Sequence, residues 1–166
     1  LADGYIVAAN IPYFITSAIV RRLLEAETKP SRMVLTMQKE VAQRICALPG
    51  DLSLLALSVQ VYGAPRIVEF ISASSFFPVP EVDSAILRVD LFSQPVIPQE
   101  KLPLFFQLAK AGFHQKRKTL RNSLSAGMAQ ERGKVEGILE KCAIDPMRRA
   151  ETLTLQEWGN LVAKWE

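Results

Sequence analysis

Tyr5-Ile6-Val7-Ala8-Ala9-Asn10-Ile11-Pro12-Tyr13 runs from an unbroken apolar stretch into an amide, a proline and an aromatic ring. The apolar part has the length and composition of a buried parallel strand, and the amphipathic segment from Phe14 to Ala26 has the period of a helix. Asn10 to Tyr13 therefore sit where a strand ends and a helix begins. In an open α/β sheet, ligands bind in the crevice beyond the carboxyl ends of the strands. These four residues are the first candidates for function.

Their chemistry is specific. An asparagine offers a fixed carbonyl acceptor and an amide donor, and the proline stiffens the turn and aims the neighbouring carbonyls in one direction. Asn10 matches the donor edge of adenine, while Tyr13 supplies a flat platform on which any base can stack. Together they point to methylation of an adenine amino group. That nitrogen is a poor nucleophile because its lone pair is delocalised into the ring. Acceptors on both of its protons favour the pyramidal form that attacks a methyl sulfonium, so placement and hydrogen bonding suffice without a strong base. The tetrapeptide alone also fits a strand-ending turn with Asn10 as helix cap and Tyr13 packed on the core.

The remaining chain narrows the choice. Its 166 residues, 49% hydrophobic and 22% charged, describe an ordinary globular protein with a real core, which excludes disordered and collagen-like classes. No apolar run is long enough to cross a bilayer and the first residues lack a leader pattern, so a cytoplasmic location is the expectation. The start at Leu1, a few residues before a strand, reads as an excerpt of a longer domain. Cys46 and Cys142 stand far apart with no partner at ligand spacing; each reads as a buried small side chain, and no metal is expected. The net charge of +3 is mild, but from Lys101 to Gln130 there is no acidic residue, while Lys110, Lys116, Arg117, Lys118 and Arg121 all fall there.

In chain order, Arg32 to Met37 reads as a second buried strand, Gln38 to Leu48 and Ser53 to Val61 as short helices, and Arg66 to Ser72 and Ser84 to Phe92 as alternating strands that pair antiparallel at a sheet edge. Between the last two lies Phe76-Phe77-Pro78-Val79-Pro80-Glu81-Val82-Asp83-Ser84. Its prolines keep it out of a sheet interior and stiffen it, so that Phe76 or Phe77 is held over a cleft as a second stacking face; in the alternative reading both plug the core. After the proline-rich link Ser93 to Pro98 the pattern is helical throughout: Leu102 to Phe113, Thr119 to Met128, Val135 to Cys142 and Leu155 to Trp165. The expected domains are 1–93 and 94–166.

Phe113 to Asn122 mixes charge with amide and hydroxyl groups at a helix start. Arg117 and Arg121, four apart, are expected on one helix face with Phe113 one turn earlier, a face suited to the phosphates of folded RNA or to plain solvation. The long acid-free window favours a polyanion. His114, the single histidine, has no identifiable acid or nucleophile beside it and is given no catalytic role.

Five segments in this order, Asn10 to Tyr13, Gln38-Lys39-Glu40-Val41, Phe76 to Ser84, Lys116-Arg117-Lys118-Thr119-Leu120-Arg121-Asn122 and Arg149-Ala150-Glu151-Thr152-Leu153-Thr154, resemble the adenine dimethyltransferases of small-subunit ribosomal RNA, the KsgA family. The resemblance covers nearly the whole chain, and the proline-rich loop and two C-terminal motifs are its most specific parts. It implies the C-terminal part of a Rossmann-like methyltransferase sheet (fold class α/β) followed by a small all-α, RNA-binding domain. It implies that Asn10 bonds the target amino group and helps hold S-adenosylmethionine, that the carbonyl of Ile11 or Pro12 is the second acceptor, and that Tyr13 and Phe76 sandwich a flipped adenine. It also implies contacts from Lys116, Arg117, Lys118, Arg121 and Asn122 to small-subunit rRNA in a pre-ribosomal particle, with two methyl groups on each of two adjacent adenines.

Two departures stand out. The family's glycine-rich cofactor loop and the acidic residues for the cofactor's ribose and adenine lie upstream of the Asn10 strand, so the chain alone is expected to bind S-adenosylmethionine poorly and to be inactive. Glu81 stands where relatives commonly carry a basic residue. The alternatives are a macrolide-resistance type acting on an adenine of large-subunit rRNA, which the C-terminal motifs disfavour, and a non-catalytic RNA-binding module for ribosome assembly. A DNA amino-methyltransferase fits less well, since those more often carry a second proline where this chain has Ile11.

Overall fold

In the computed structural model, which describes residues 4–165, the opening apolar run forms β1 (Ile6–Asn10). One 3-10 turn, Tyr13–Ile15, then leads into α1 (Thr16–Leu24), and the chain returns as β2 (Arg32–Gln38), parallel to β1 with Asn10 opposite Thr36. The strand, helix, strand reading of the sequence is therefore what forms. β2 buries alternate residues, Met33, Leu35 and Met37, all fully enclosed. Short helices α2 (Lys39–Ile45) and α3 (Leu54–Gln60) follow, then β3 (Gly63–Ile71) and β4 (Ser84–Leu91). Among the described residues the sheet order is β1-β2-β4-β3, with β4 antiparallel to both neighbours. Ala85, Leu87 and Val89 fill the core from β4, as its alternation predicts.

β1 departs from expectation. Its apolar run predicts a buried strand, but four of its five residues are exposed, with Ile6 62% accessible. Among the described residues β2 is its one strand neighbour. A continuous apolar run reports composition, not how many neighbours a strand has.

The chain separates into two compact units. One takes the chain up to Ala47 together with Ser58–Pro95; the other takes Leu48–Leu57 together with the chain from Val96. Residues 1–3 and 166, at the outer ends of the expected domain ranges, lie outside the described residues.

The second unit holds α4 (Leu102–His114), α5 (Leu120–Gly127), α6 (Arg132–Lys141) and α7 (Leu155–Lys164). Its centre is Trp158, fully buried, with Phe113 stacked on it at 6.1 Å and Phe105 edge-on at 6.5 Å. Gly112 lets the two helices approach there: a Cβ at that position would lie 2.9 Å from the indole. Helix α4 stops at His114 and α5 starts at Leu120, so Arg117 lies in the intervening turn and Arg121 in α5. The expected single helix face carrying Phe113, Arg117 and Arg121 does not exist. No glycine or proline marks that break in the sequence.

Candidate active site

A cavity of about 310 Å³ opens within the first unit, lined by Asn10, Ile11, Pro12 and Tyr13 and by Phe76, Phe77, Pro78 and Pro80. The two stretches singled out in the sequence thus share one cleft. The Asn10 end of β1 is pinned: the amide of Ile11 donates to the Thr36 carbonyl at 3.2 Å, and the Ile11 side chain is buried. From that anchored backbone the Asn10 side chain stands exposed, with no hydrogen-bond partner among the described residues. Asn10 does not cap the helix; neither the 3-10 turn nor α1 has a side-chain cap.

The carbonyls of Ile11 and Pro12 differ. Pro12's accepts from the Ile15 amide at 3.2 Å and lies 3.4 Å from the Thr16 hydroxyl, which donates to it. No donor among the described residues reaches that of Ile11. The difference follows from the 3-10 turn, which engages the Pro12 carbonyl and not that of its predecessor.

Tyr13 is half-buried, and its hydroxyl bonds the Ser84 hydroxyl at 2.6 Å across 71 residues of chain. Opposite it, the proline-rich loop carries a cis peptide between Phe77 and Pro78. Phe76 is half-buried and Phe77 is 100% exposed, so the reading in which both rings plug the core does not hold. Glu81 is exposed as well.

The basic segment belongs to the second unit. Lys116, Arg117 and Lys118 are exposed in a turn closed by the Lys118 amide donating to the Gln115 carbonyl at 2.9 Å. Arg121 is turned to Glu136 at 3.0 Å, and the side-chain oxygen of Asn122 is buried. The first amides of α5 donate to the carbonyls of Arg148 (2.6 Å) and Pro146 (3.2 Å), which ties the first C-terminal motif to the residues just before the second. Arg148 in turn grips Glu157 and the Thr152 carbonyl, and Glu157 completes a capping box with Thr154 at the start of α7. Burial alone would raise the Glu157 carboxyl, but hydrogen bonds from Arg148 and the Thr154 amide outweigh it and hold it below the usual range.

Cys46 and Cys142 both lie at helix C-caps, half-buried rather than enclosed, and burial pushes both thiols up. No helix among the described residues is long and apolar enough to cross a membrane.

Sequence reading missed Ser84 and Asp83 as supports behind the cleft and Arg148 as a clamp. Ser84 meets Tyr13 across 71 residues and Asp83 meets Lys39 across 44, which no local spacing announces; the partners of Arg148 lie only four and nine residues on.

Against known proteins, the family description "Ribosomal RNA adenine dimethylase" matches residues 2–161. A protein named ribosomal RNA small subunit methyltransferase A from a Dehalococcoides mccartyi strain is 46% identical over 157 residues, covering 95% of this chain and 54% of that protein. Its namesake from Alkaliphilus oremlandii is 39% identical over 158 residues, covering 93% and 55%. The chain thus spans about half the length of these relatives. Among solved structures, the 23S rRNA methyltransferase ErmE superposes with a TM-score of 0.74 at 26% identity, covering 99% of this chain and 66% of that one. A dimethyladenosine transferase from Plasmodium falciparum shares the fold, with a TM-score of 0.78 at 24% identity over 99% of this chain and 68% of that one. The chain belongs to the ribosomal RNA adenine dimethylase family.

Proposed function

We propose that this chain forms the substrate-side part of an enzyme that transfers methyl groups from S-adenosylmethionine to the N6 amino groups of two adjacent adenines in small-subunit rRNA, two on each. The observation that carries the reading is the cleft itself. Asn10, with an unpartnered amide, and Ile11, with an unpartnered carbonyl, line one cavity with Tyr13 and Phe76.

Adenine N6 has two protons. The Asn10 side-chain oxygen and the Ile11 carbonyl accept one each, which draws the lone pair out of ring conjugation and aims it. Pro12 shapes the turn and does not serve as the acceptor, since its carbonyl is engaged. Tyr13 and Phe76 hold the extruded base between their faces, replacing the stacking it loses on leaving the RNA. S-adenosylmethionine, when bound, supplies an electrophilic methyl group. The exposed Asn10 amide suits a polar group of that cofactor; the rest of its site we assign to sequence preceding this chain. Lys116, Arg117 and Lys118 contact RNA phosphates, with Arg121 and Asn122 serving chiefly to build the start of α5.

The test is methyl transfer from labelled S-adenosylmethionine to immature small ribosomal subunits, with this chain and with the whole protein that contains it. Transfer by the whole protein alone is expected. RNA binding with no transfer by either would replace the enzyme by an assembly module. The likeness to ErmE favours a second reading, a large-subunit target; offering large-subunit rRNA in the same assay separates the two, and the two relatives named above favour the small subunit.

A further inference from the structure

We infer that Ser84 is a positioning residue for the reaction, setting the plane of the Tyr13 ring through the bond between their hydroxyls. The inference rests on the proposed adenine site and deepens it.

A tyrosine that only stacks on a base needs no phenol; a phenylalanine would do as well. Here the phenol is used, at a short 2.6 Å, and its partner is a buried hydroxyl on a sheet strand. Ser84 is fully buried and is the first residue of β4, in register with Gln38 on one side and Ile71 on the other. Tyr13, by contrast, sits in a single 3-10 turn, a poorer anchor for a ring that must stay in one orientation. The bond transfers the rigidity of the sheet to the end of the Tyr13 side chain.

The neighbouring residue does the same for the other wall. One Asp83 carboxylate oxygen accepts from the Ala73 amide at 3.1 Å, at the start of the turn that leads into Phe76, and the other lies 3.4 Å from the Lys39 ammonium. The Asp83 carbonyl accepts from the Lys39 amide at 3.0 Å. Asp83 and Ser84 therefore hold the Phe76 wall and the Tyr13 wall from one point at the start of a central strand. The gap between two stacking faces has to match one base thickness, and a common anchor fixes that gap. Since misplacement of a reacting group by about 1 Å can cost around 100-fold, loss of the anchor should act on the chemical step before it acts on RNA binding, which the basic turn supports elsewhere.

The experiment is a double-mutant cycle in the whole protein: Tyr13→Phe, Ser84→Ala and the pair, each measured for kcat, KM for immature small subunits, and thermal unfolding. Each single change is expected to lower kcat about 10-fold with KM held within about twofold, and the pair to fall no further than either alone, because both remove one bond. Tyr13→Phe breaks the same bond without touching the buried strand, so it decides the question if Ser84→Ala unfolds. Unchanged kcat in Tyr13→Phe, additive losses in the pair, or a loss confined to KM or to unfolding temperature would overturn the positioning role while leaving the active wild type, and hence the enzyme, intact. A wild type with no transfer to any rRNA would overturn the enzyme reading and this inference with it.

Discussion

In the sheet unit, Asn10 and Ile11 line a cavity, the Asn10 amide and the Ile11 carbonyl without a partner among the described residues; in the helical unit, Arg148 is committed to Glu157 and Thr152, and Arg121 to Glu136. Both sets sit on well-held backbone. An exposed polar group that an anchored backbone leaves unpaired, such as the Asn10 amide, is open to a ligand, whereas the Arg148 and Glu157 pair holds the fold and unpaired atoms such as Asn122 Oδ1 are buried within it. Charge alone does not separate the two, since Arg121 carries as much as Arg117.

If that contrast is right, the helical unit should answer to substitution through stability. Trp158→Ala removes the ring on which Phe105 and Phe113 pack and should cost about 3–5 kcal/mol in denaturant unfolding. A loss under about 1 kcal/mol would mean that the aromatic cluster does not hold that unit together. The sheet unit should answer through chemistry. Asn10→Ala in the whole protein should lower methyl transfer by about 100- to 1,000-fold, as for loss of one preorganised hydrogen-bonding group, with RNA affinity and unfolding nearly unchanged. Equal loss of transfer and affinity would break the comparison, because Asn10 would then be a binding group only.

Acid sharpens it further. Glu157 has a lowered pKa in the fold, so it contributes stability above the ordinary carboxylate range that is lost as pH falls through the lowered value. Glu157→Gln should cost about 1–2 kcal/mol at neutral pH and flatten the acid arm of the stability profile below about pH 4. In the sheet unit, hydrogen bonds from Arg88 and then Arg32 hold Asp90 low in the same direction, so Asp90→Asn should flatten that arm too. An acid arm unaltered by both changes would remove these carboxylates from the account. The smallest effect is expected in the basic turn. Neutralising Lys116, Arg117 or Lys118 singly should make the salt dependence of RNA binding shallower by about 0.7–0.9 in log–log slope per residue, while Arg121→Gln, already paired, should change it less. A larger slope change from Arg121 than from the turn would reverse the assignment.

The strand, turn and helix around Asn10 were legible because apolar run, proline and helical period are local signals. So was β4, whose alternation matches its enclosed Ala85, Leu87 and Val89. The exposure of β1 was not legible, for strand neighbours are set by topology. Nor was the break after His114, where five residues, Gln115 to Thr119, carry no glycine or proline; the carbonyls of Pro146 and Arg148 that receive the first amides of α5 lie 25 and 28 residues on. The association of Leu48–Leu57 with the C-terminal helices has the same character. In the cleft, the residue types were readable, but Ser84 gains its role from a partner 71 positions away.

Ile11 divides its labour between its two halves. The residue is 3% exposed: its side chain answers to the interior, and its carbonyl, under the proposed role, answers to the base. Every amino acid carries that carbonyl. Exchange among aliphatic residues at this position therefore keeps both the carbonyl and the amide that pins the Asn10 end of β1 to Thr36, whereas a proline would keep the carbonyl and lose that pin.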